Sequence, residues 1–180
     1  RDDAAGECFD KIAALLGLAY PGGPAIEKAA LGGDPAAVDL PRPLKNDGSD
    51  DFSFSGLKTA VLYRIKGPNT RRSDPDAAPP AVADLAASAQ EAIADVLTEK
   101  AVSAATRRNV RRLVLGGGVA ANTRVRTLAA ERAAAAGVEL FVPEKALCTD
   151  NAAMVAVRGA ELLAAGVRDG FDLDADPYTE

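Results

Sequence analysis

LVLGGGVAANTRVR, residues 113–126, runs from a short apolar stretch through three consecutive glycines into a helix-forming segment. Leu113, Val114 and Leu115 form a run short and branched enough to be a buried strand, and Gly116, Gly117 and Gly118 end it with backbone that carries no side chains. A ligand can approach such a backbone closely. Strand, glycine turn and helix N-terminus in this order aim free N–H groups and the positive end of a helix dipole at one spot, which suits a phosphate or another electron-rich group. The stretch has neither the Lys-Ser/Thr ending of a P-loop nor the GxGxxG spacing of a dinucleotide fold. A turn that only lets a helix pack tightly on a strand is the competing reading.

Outward from this stretch, the C-terminal part alternates. The pattern predicts a strand at 112–115, a helix at about 119–135 stopped by Gly137, a strand at 138–142 and a helix from about Asp150 to Ala165. Such alternation implies an α/β layer. On the N-terminal side, Pro79 and Pro80 open a long helix from about Ala81 to Arg107. Val82, Leu85, Ala89, Ile93 and Val96 share one face of it, and Asp84, Ser88, Glu91, Asp95 and Glu99 share another. Residues 67–80 have the composition of an exposed loop. Asp3 to Leu18 reads as a helix stopped at Gly17, followed by a stiff turn from Pro21 to Pro24 and a short helix from Ala25. Gly32 to Asp50 reads as irregular, with a short extended piece around Asp39 to Leu44. Phe52 and Phe54 alternate with serines, which predicts a brief strand before a helix from Gly56 to Ile65. The expected organisation is a helix-rich segment over 1–110, an α/β nucleotide-binding lobe over 111–170 and a loosely ordered tail over 171–180.

The chain has 180 residues, 48% of them hydrophobic, enough for a sizeable core. It shows no run of about 18 apolar residues and no basic-then-apolar leader, so a cytoplasmic protein with no membrane role is expected. It starts at Arg1 inside what looks like a helix, as a fragment would. Cys8 and Cys148 form no CxxC and read as two buried thiols. Histidine is absent, which removes Ser-His-Asp and Cys-His nucleophile activation and any Cys/His zinc site built from this chain alone. The net charge of −5 is unevenly spread: Glu99 to Arg132 holds eight basic residues against two acids, and the residues from Asp150 onward hold seven acids against two arginines. The basic segment flanks the glycine turn and could meet a phosphate backbone, or could be a solvated helix face with a basic loop.

Four blocks in order, DDAAGECFDKIAALLGLAYPGGPAIEK (2–28), DFSFSGLKTA (51–60), LGGGVAANTRVR (115–126) and LCTDNAAMVA (147–156), resemble the TsaD family of tRNA threonylcarbamoyladenosine synthesis enzymes, formerly described as O-sialoglycoprotein endopeptidases. The resemblance implies part of an actin, Hsp70 and sugar-kinase type (ASKHA) α/β fold: the second lobe with a helical insertion, in the C-terminal half or slightly more of a family member. It implies transfer of threonylcarbamoyl from threonylcarbamoyl-AMP to N6 of adenosine 37 in tRNAs reading codons that start with A. The companion proteins TsaB and TsaE and one divalent metal ion, iron, are implied as well. The family's HxxxH ligands and its Ser-Gly-Gly-His segment have no counterpart in these residues, so the metal site is expected to be incomplete here.

By the same resemblance, Gly117 and Gly118 lie against the adenylate, Asn122 in GGVAAN binds substrate, and Asp10, Gly23 and Glu27 contact the adenylate. The chemistry fits: a carboxylate accepts two hydrogen bonds from a ribose diol, glycine leaves room for a sugar or base, and an amide both donates and accepts without bringing charge. Asp10 and Glu27 otherwise read as solvated helix acids, and Asn122 as a cap or a helix-surface residue. Asp150 in LCTDNAAM matches the family's carboxylate metal ligand, with a helix N-cap as the plain alternative. No catalytic side chain is assigned, because the family reaction needs positioning and electrostatic stabilisation rather than a protein nucleophile. Ser53, Ser55 and Lys58 match family residues without a role. The competing functions are a non-catalytic module that binds nucleotide or partner, and an ATP-using kinase or hydrolase of the same superfamily.

Overall fold

The computed structural model describes residues 2–67, 80–171 and 174, so the loop expected at 67–80 and the tail fall almost wholly outside the described residues. Among the described residues the regular elements are α1 (Ala5–Leu15), α2 (Gly22–Ala29), α3 (Ser55–Lys66), α4 (Val82–Arg107), β1 (Arg112–Val114), α5 (Thr123–Ala135), β2 (Glu139–Phe141) and α6 (Ala152–Ala164). Two short 3-10 turns, Gly118–Ala121 and Lys145–Leu147, precede α5 and α6. The architecture is mixed α/β with a small parallel sheet.

Helix α1 forms because Cys8, Phe9, Ile12 and Ala13 recur at helical spacing and bury together. Gly17 ends it at φ +69, where the Leu18 N–H reaches back to Ala13 O and the Gly17 N–H to Ala14 O, satisfying carbonyls the helix end would leave open. Helix α2 starts at Gly22, three residues before the expected Ala25. The Asp10 carboxylate accepts the Gly22 N–H at 2.6 Å, and Pro24 sits in the first turn, where a missing N–H costs nothing.

The strand expected at Phe52 and Phe54 does not form, since no strand among the described residues offers it a ladder. Phe54 is buried and stacks on Phe52 with ring centroids 6.2 Å apart, while Ser53 and Ser55 donate their hydroxyls to Asp2. Asp2 also accepts the Phe54 N–H at 2.8 Å, which ties the first residues of the chain to the start of α3. The extended piece expected at Asp39 to Leu44 is likewise no strand; Leu44 takes a left-handed φ of 56.

Helix α4 matches its expected span. Leu85, Ala89, Ile93 and Val96 are buried as the pattern requires, but Val82 in the first turn is exposed. The second face is not uniformly solvated: Ser88 and Asp95 are buried, because the irregular segment after α2 lies over them. Ser88 Oγ accepts the Val38 N–H, and the Asp95 carboxylate gathers Arg42, Lys45 and Arg132. Burial pushes the Asp95 carboxyl up, but hydrogen bonds from Arg132 and Lys45 outweigh it and hold the group below the ordinary carboxylate range.

Strands β1 and β2 pair in parallel with Arg112 opposite Glu139, Leu113 opposite Leu140 and Val114 opposite Phe141, and α5 is the crossover between them. Both strands are shorter than predicted. Gly137, at φ +67, turns the chain from α5 into β2. The largest apolar cluster joins α1 to α4 through side chains such as Phe9, Ile12, Ile26, Leu57 and Ile93; smaller ones unite α4 with α5 through Ala94, Val125 and Leu128, and α4 with α5 and the sheet through Val102, Ala133 and Val138. Full burial of each large apolar side chain contributes about 1.5–3 kcal/mol. Cys8 and Cys148 are separate buried thiols, and burial pushes the Cys8 thiol up to about 12. Helix α6 has no buried residue, and among the described residues no helix is long and apolar enough to cross a membrane.

Candidate functional site

A cleft of about 370 Å³ opens between the first two helices and the segment that joins β1 to α5. Its walls include Asp10, Gly23, Glu27, Gly118, Asn122 and Thr149. Five of the residues singled out in the sequence, from regions about a hundred positions apart, therefore share one hollow.

On the α1–α2 wall, one Asp10 oxygen is committed to the Gly22 N–H, which leaves the other available to a ligand. The two glycines beside it differ in kind. A Cβ on Gly22 would come within 2.5 Å of Asp10 Cα, so the close approach of α2 to α1 requires glycine there. A Cβ on Gly23 would meet nothing within 4 Å, because that position borders open space. Glu27 reaches across the cleft: its Oε1 accepts the Thr123 N–H at 3.1 Å and the Thr123 hydroxyl, and Lys145 Nζ stands 3.7 Å away. Glu27 is thus a strap between α2 and the start of α5.

On the opposite wall, Gly117 makes the turn at φ +90 that delivers Gly118 to the cleft, and is not itself a lining residue. The expectation that a helix N-terminus would follow the glycines with free N–H groups needs correction. A 3-10 turn intervenes, and the first donors of α5 are already taken, Thr123 N–H by Glu27 and Val125 N–H by Asn122 Oδ1 at 3.1 Å. Asn122 is the N-cap of α5 and a wall residue at once, only 6% exposed, and its Nδ2 donates to Gln90 Oε1 at 2.8 Å. The capping reading of this asparagine is met, and the same residue lines the cleft.

Asp150 stands outside the cleft, exposed, and is not the N-cap of α6. That helix begins at Ala152 and its cap is Asn151, which accepts the Met154 N–H. Among the described residues no three His, Cys, Asp or Glu side chains cluster to hold a metal ion. One exposed carboxylate is too small a donor set for a dication, so these residues do not by themselves fit the implied metal.

The basic segment is largely paired. Arg107 and Arg108 meet Asp50, Arg112 meets Glu139 at 3.1 Å, Arg124 holds Glu91 through two nitrogens, and Lys100 is buried against Asp47, whose carboxyl falls to about 2 through hydrogen bonds from Lys100 and Ser49. Gln90, Lys145 and Thr149 were missed in the sequence. Thr149 lies inside the matched block 147–156 and could have been found there; Gln90, inside the alanine-rich long helix, carries no sequence signal of its own.

A family model described as tRNA N6-adenosine threonylcarbamoyltransferase, TsaD, matches residues 1–157. Curated relatives with that same description include one from Geobacter sp. (strain M21), 54% identical over 176 residues, covering 98% of this chain and 50% of the relative. One from Anaeromyxobacter dehalogenans (strain 2CP-1 / ATCC BAA-258) is 55% identical over 178 residues, covering 98% and 52%. One from Geobacter metallireducens is 51% identical over 175 residues, covering 97% and 50%. The chain spans about half the length of the curated relatives it matches.

Proposed function

The chain belongs to the TsaD family of tRNA N6-adenosine threonylcarbamoyltransferases, and we propose that it carries one wall of the adenylate site of such an enzyme, within the second lobe of an ASKHA-type fold. The observation that carries this reading is the meeting of Asp10, Gly23, Glu27, Gly118 and Asn122 around one cleft. In this reading the substrate is threonylcarbamoyl-AMP, the acceptor is adenosine 37 of tRNA, and TsaB and TsaE are the companion proteins.

The free Asp10 oxygen accepts from the ribose hydroxyls, Gly23 leaves space for the sugar or base, and Gly118 lets the main chain come close to the nucleoside. The N6 amine attacks the carbamoyl carbon, the new C–N bond replaces the C–O bond to phosphate, and AMP leaves with the bonding electrons while the amine loses a proton. The chain contributes positioning and fixed dipoles to this exchange. Asp150 alone would offer a divalent ion a single oxygen donor, too few to hold it.

The test is transfer of labelled threonylcarbamoyl from threonylcarbamoyl-AMP to tRNA by the protein expressed from its natural reading frame, with TsaB and TsaE present. Transfer that falls by at least tenfold in Asp10→Ala and Asn122→Ala supports the reading. Absence of transfer by the unmodified protein, or full transfer by both variants, ends it.

A further inference from the structure

We propose that Gln90 is a positioning residue for Asn122, locking its amide so that the cleft meets an N–H donor rather than a carbonyl. For the identity of the ligand the assignment rests on the nucleotide reading above; the orientation itself follows from groups whose hydrogen-bonding roles are fixed. The Val125 N–H belongs to the helix backbone and can only donate, so the Asn122 atom facing it at 3.1 Å must be the oxygen. The amide nitrogen then faces the other way, toward α4, where Gln90 Oε1 accepts one of its protons at 2.8 Å.

An amide nitrogen carries two protons. With the first on Gln90, the second is left for the cleft that Asn122 lines, and the ligand atom it meets must be an acceptor. The carboxylates of Asp10 and Glu27 in the same walls favour an uncharged acceptor, a ring nitrogen or a ribose oxygen of the nucleoside.

The spacing between Gln90 and Asn122 is set by two packed helices rather than by a loop. One residue after Gln90, Glu91 grips Arg124 at 2.5 and 2.9 Å, and two turns further along α4, Thr98 Oγ1 accepts from Arg132 at 2.6 Å. These contacts hold α5 in rotational register on α4. Without the acceptor at position 90, a nearly buried N–H loses its partner, and the amide gains an incentive to turn away from the orientation that serves both the cap and the cleft.

In its contact with Asn122, Gln90 is only an acceptor, so a carboxylate can stand in for it. The experiment compares Gln90→Glu, which keeps an acceptor, with Gln90→Met, which keeps length and loses it. The ¹⁵N-labelled protein is expressed from its natural reading frame and titrated with adenosine, a probe without charge to clash with the introduced carboxylate. Gln90→Met is expected to weaken adenosine binding about tenfold, the loss expected for one hydrogen bond, while Gln90→Glu stays within about threefold of wild type. In the ligand-free protein the Asn122 side-chain NH₂ signals are expected to move and to exchange faster with solvent in Gln90→Met, and to hold in Gln90→Glu. Wild-type affinity in Gln90→Met, or an equal loss in both variants, overturns the assignment. If wild type binds no adenosine, the nucleotide reading fails, and the ligand-free NH₂ signals decide Gln90 alone: unchanged signals in Gln90→Met overturn it.

Discussion

The Asp10 carboxylate accepts the Gly22 N–H at 2.6 Å, so the middle of α1, which also lines the cleft, holds the first residue of α2. Asp10→Ala removes both functions. The lost cap on α2 is expected to cost about 1 kcal/mol, a fall of about 2–4 °C in melting temperature. On the proposed reading, the loss of the ribose contact is expected to abolish the preference for adenosine over 2′,3′-dideoxyadenosine, read by calorimetric titration. A variant that keeps this preference would assign the diol to another group.

The neighbouring glycines allow a sharper contrast. Gly22→Ala forces a Cβ to within 2.5 Å of Asp10 Cα and is expected to destabilise the fold by about 2–3 kcal/mol, seen in chemical denaturation. Gly23→Ala places its methyl in open space; stability is expected to change by under about 0.5 kcal/mol while adenosine affinity drops. Equal stability losses in the two variants would contradict the geometry.

Asp95 makes stability depend on acid. Its carboxyl is held below the ordinary range, so its contribution is complete above the unfolded-state value, near 3.9, and is lost as pH falls through the lower folded value. Asp95→Asn is expected to cost about 2–3 kcal/mol at pH 7, under the full buried-pair range because Arg42, Lys45 and Arg132 each keep some surface in water. In denaturation series from pH 7 to pH 3, the gap between wild type and variant should hold down to about pH 4 and narrow below it. A gap that stays constant with pH would remove Asp95 as the cause.

Within the basic segment the arginines should separate into two kinds. Arg111 is exposed and, unlike Arg107, Arg108 and Arg112, has no ion pair among the described residues, so Arg111→Glu is expected to weaken tRNA binding and lower its salt slope by about one. Arg124→Glu places like charge against Glu91 and is expected to act on melting temperature first. Filter binding across a salt series, with thermal melts alongside, distinguishes the two.

Much of this fold was legible in the sequence because helices announce themselves through repeated local spacing. The span of α4 and the strand–helix–strand unit around the glycine turn follow from it directly. Phe52 and Phe54 misled, since alternation signals a strand only where a neighbour supplies the ladder, and neighbours are a tertiary property. Ser88 and Asp95 read as a wet face for the same reason: no local pattern reveals that Val38, Arg42 and Lys45 lie over them. At the cleft, resemblance supplied Asp10, Gly23, Glu27, Gly118 and Asn122, whereas the strap from Glu27 to Thr123 and the contact from Gln90 to Asn122 join residues far apart in the chain. Such pairs become visible only once the chain is folded.

Helix α4 runs through all three apolar clusters and also carries Gln90, Glu91 and Asp95, so the elements around it share one spine. A cleft built this way has no local opening of its own. The amides at the middle of α4 should surrender their hydrogens to deuterium only when the whole assembly comes apart, and a nucleoside bound in the cleft beside Asn122 should slow their exchange.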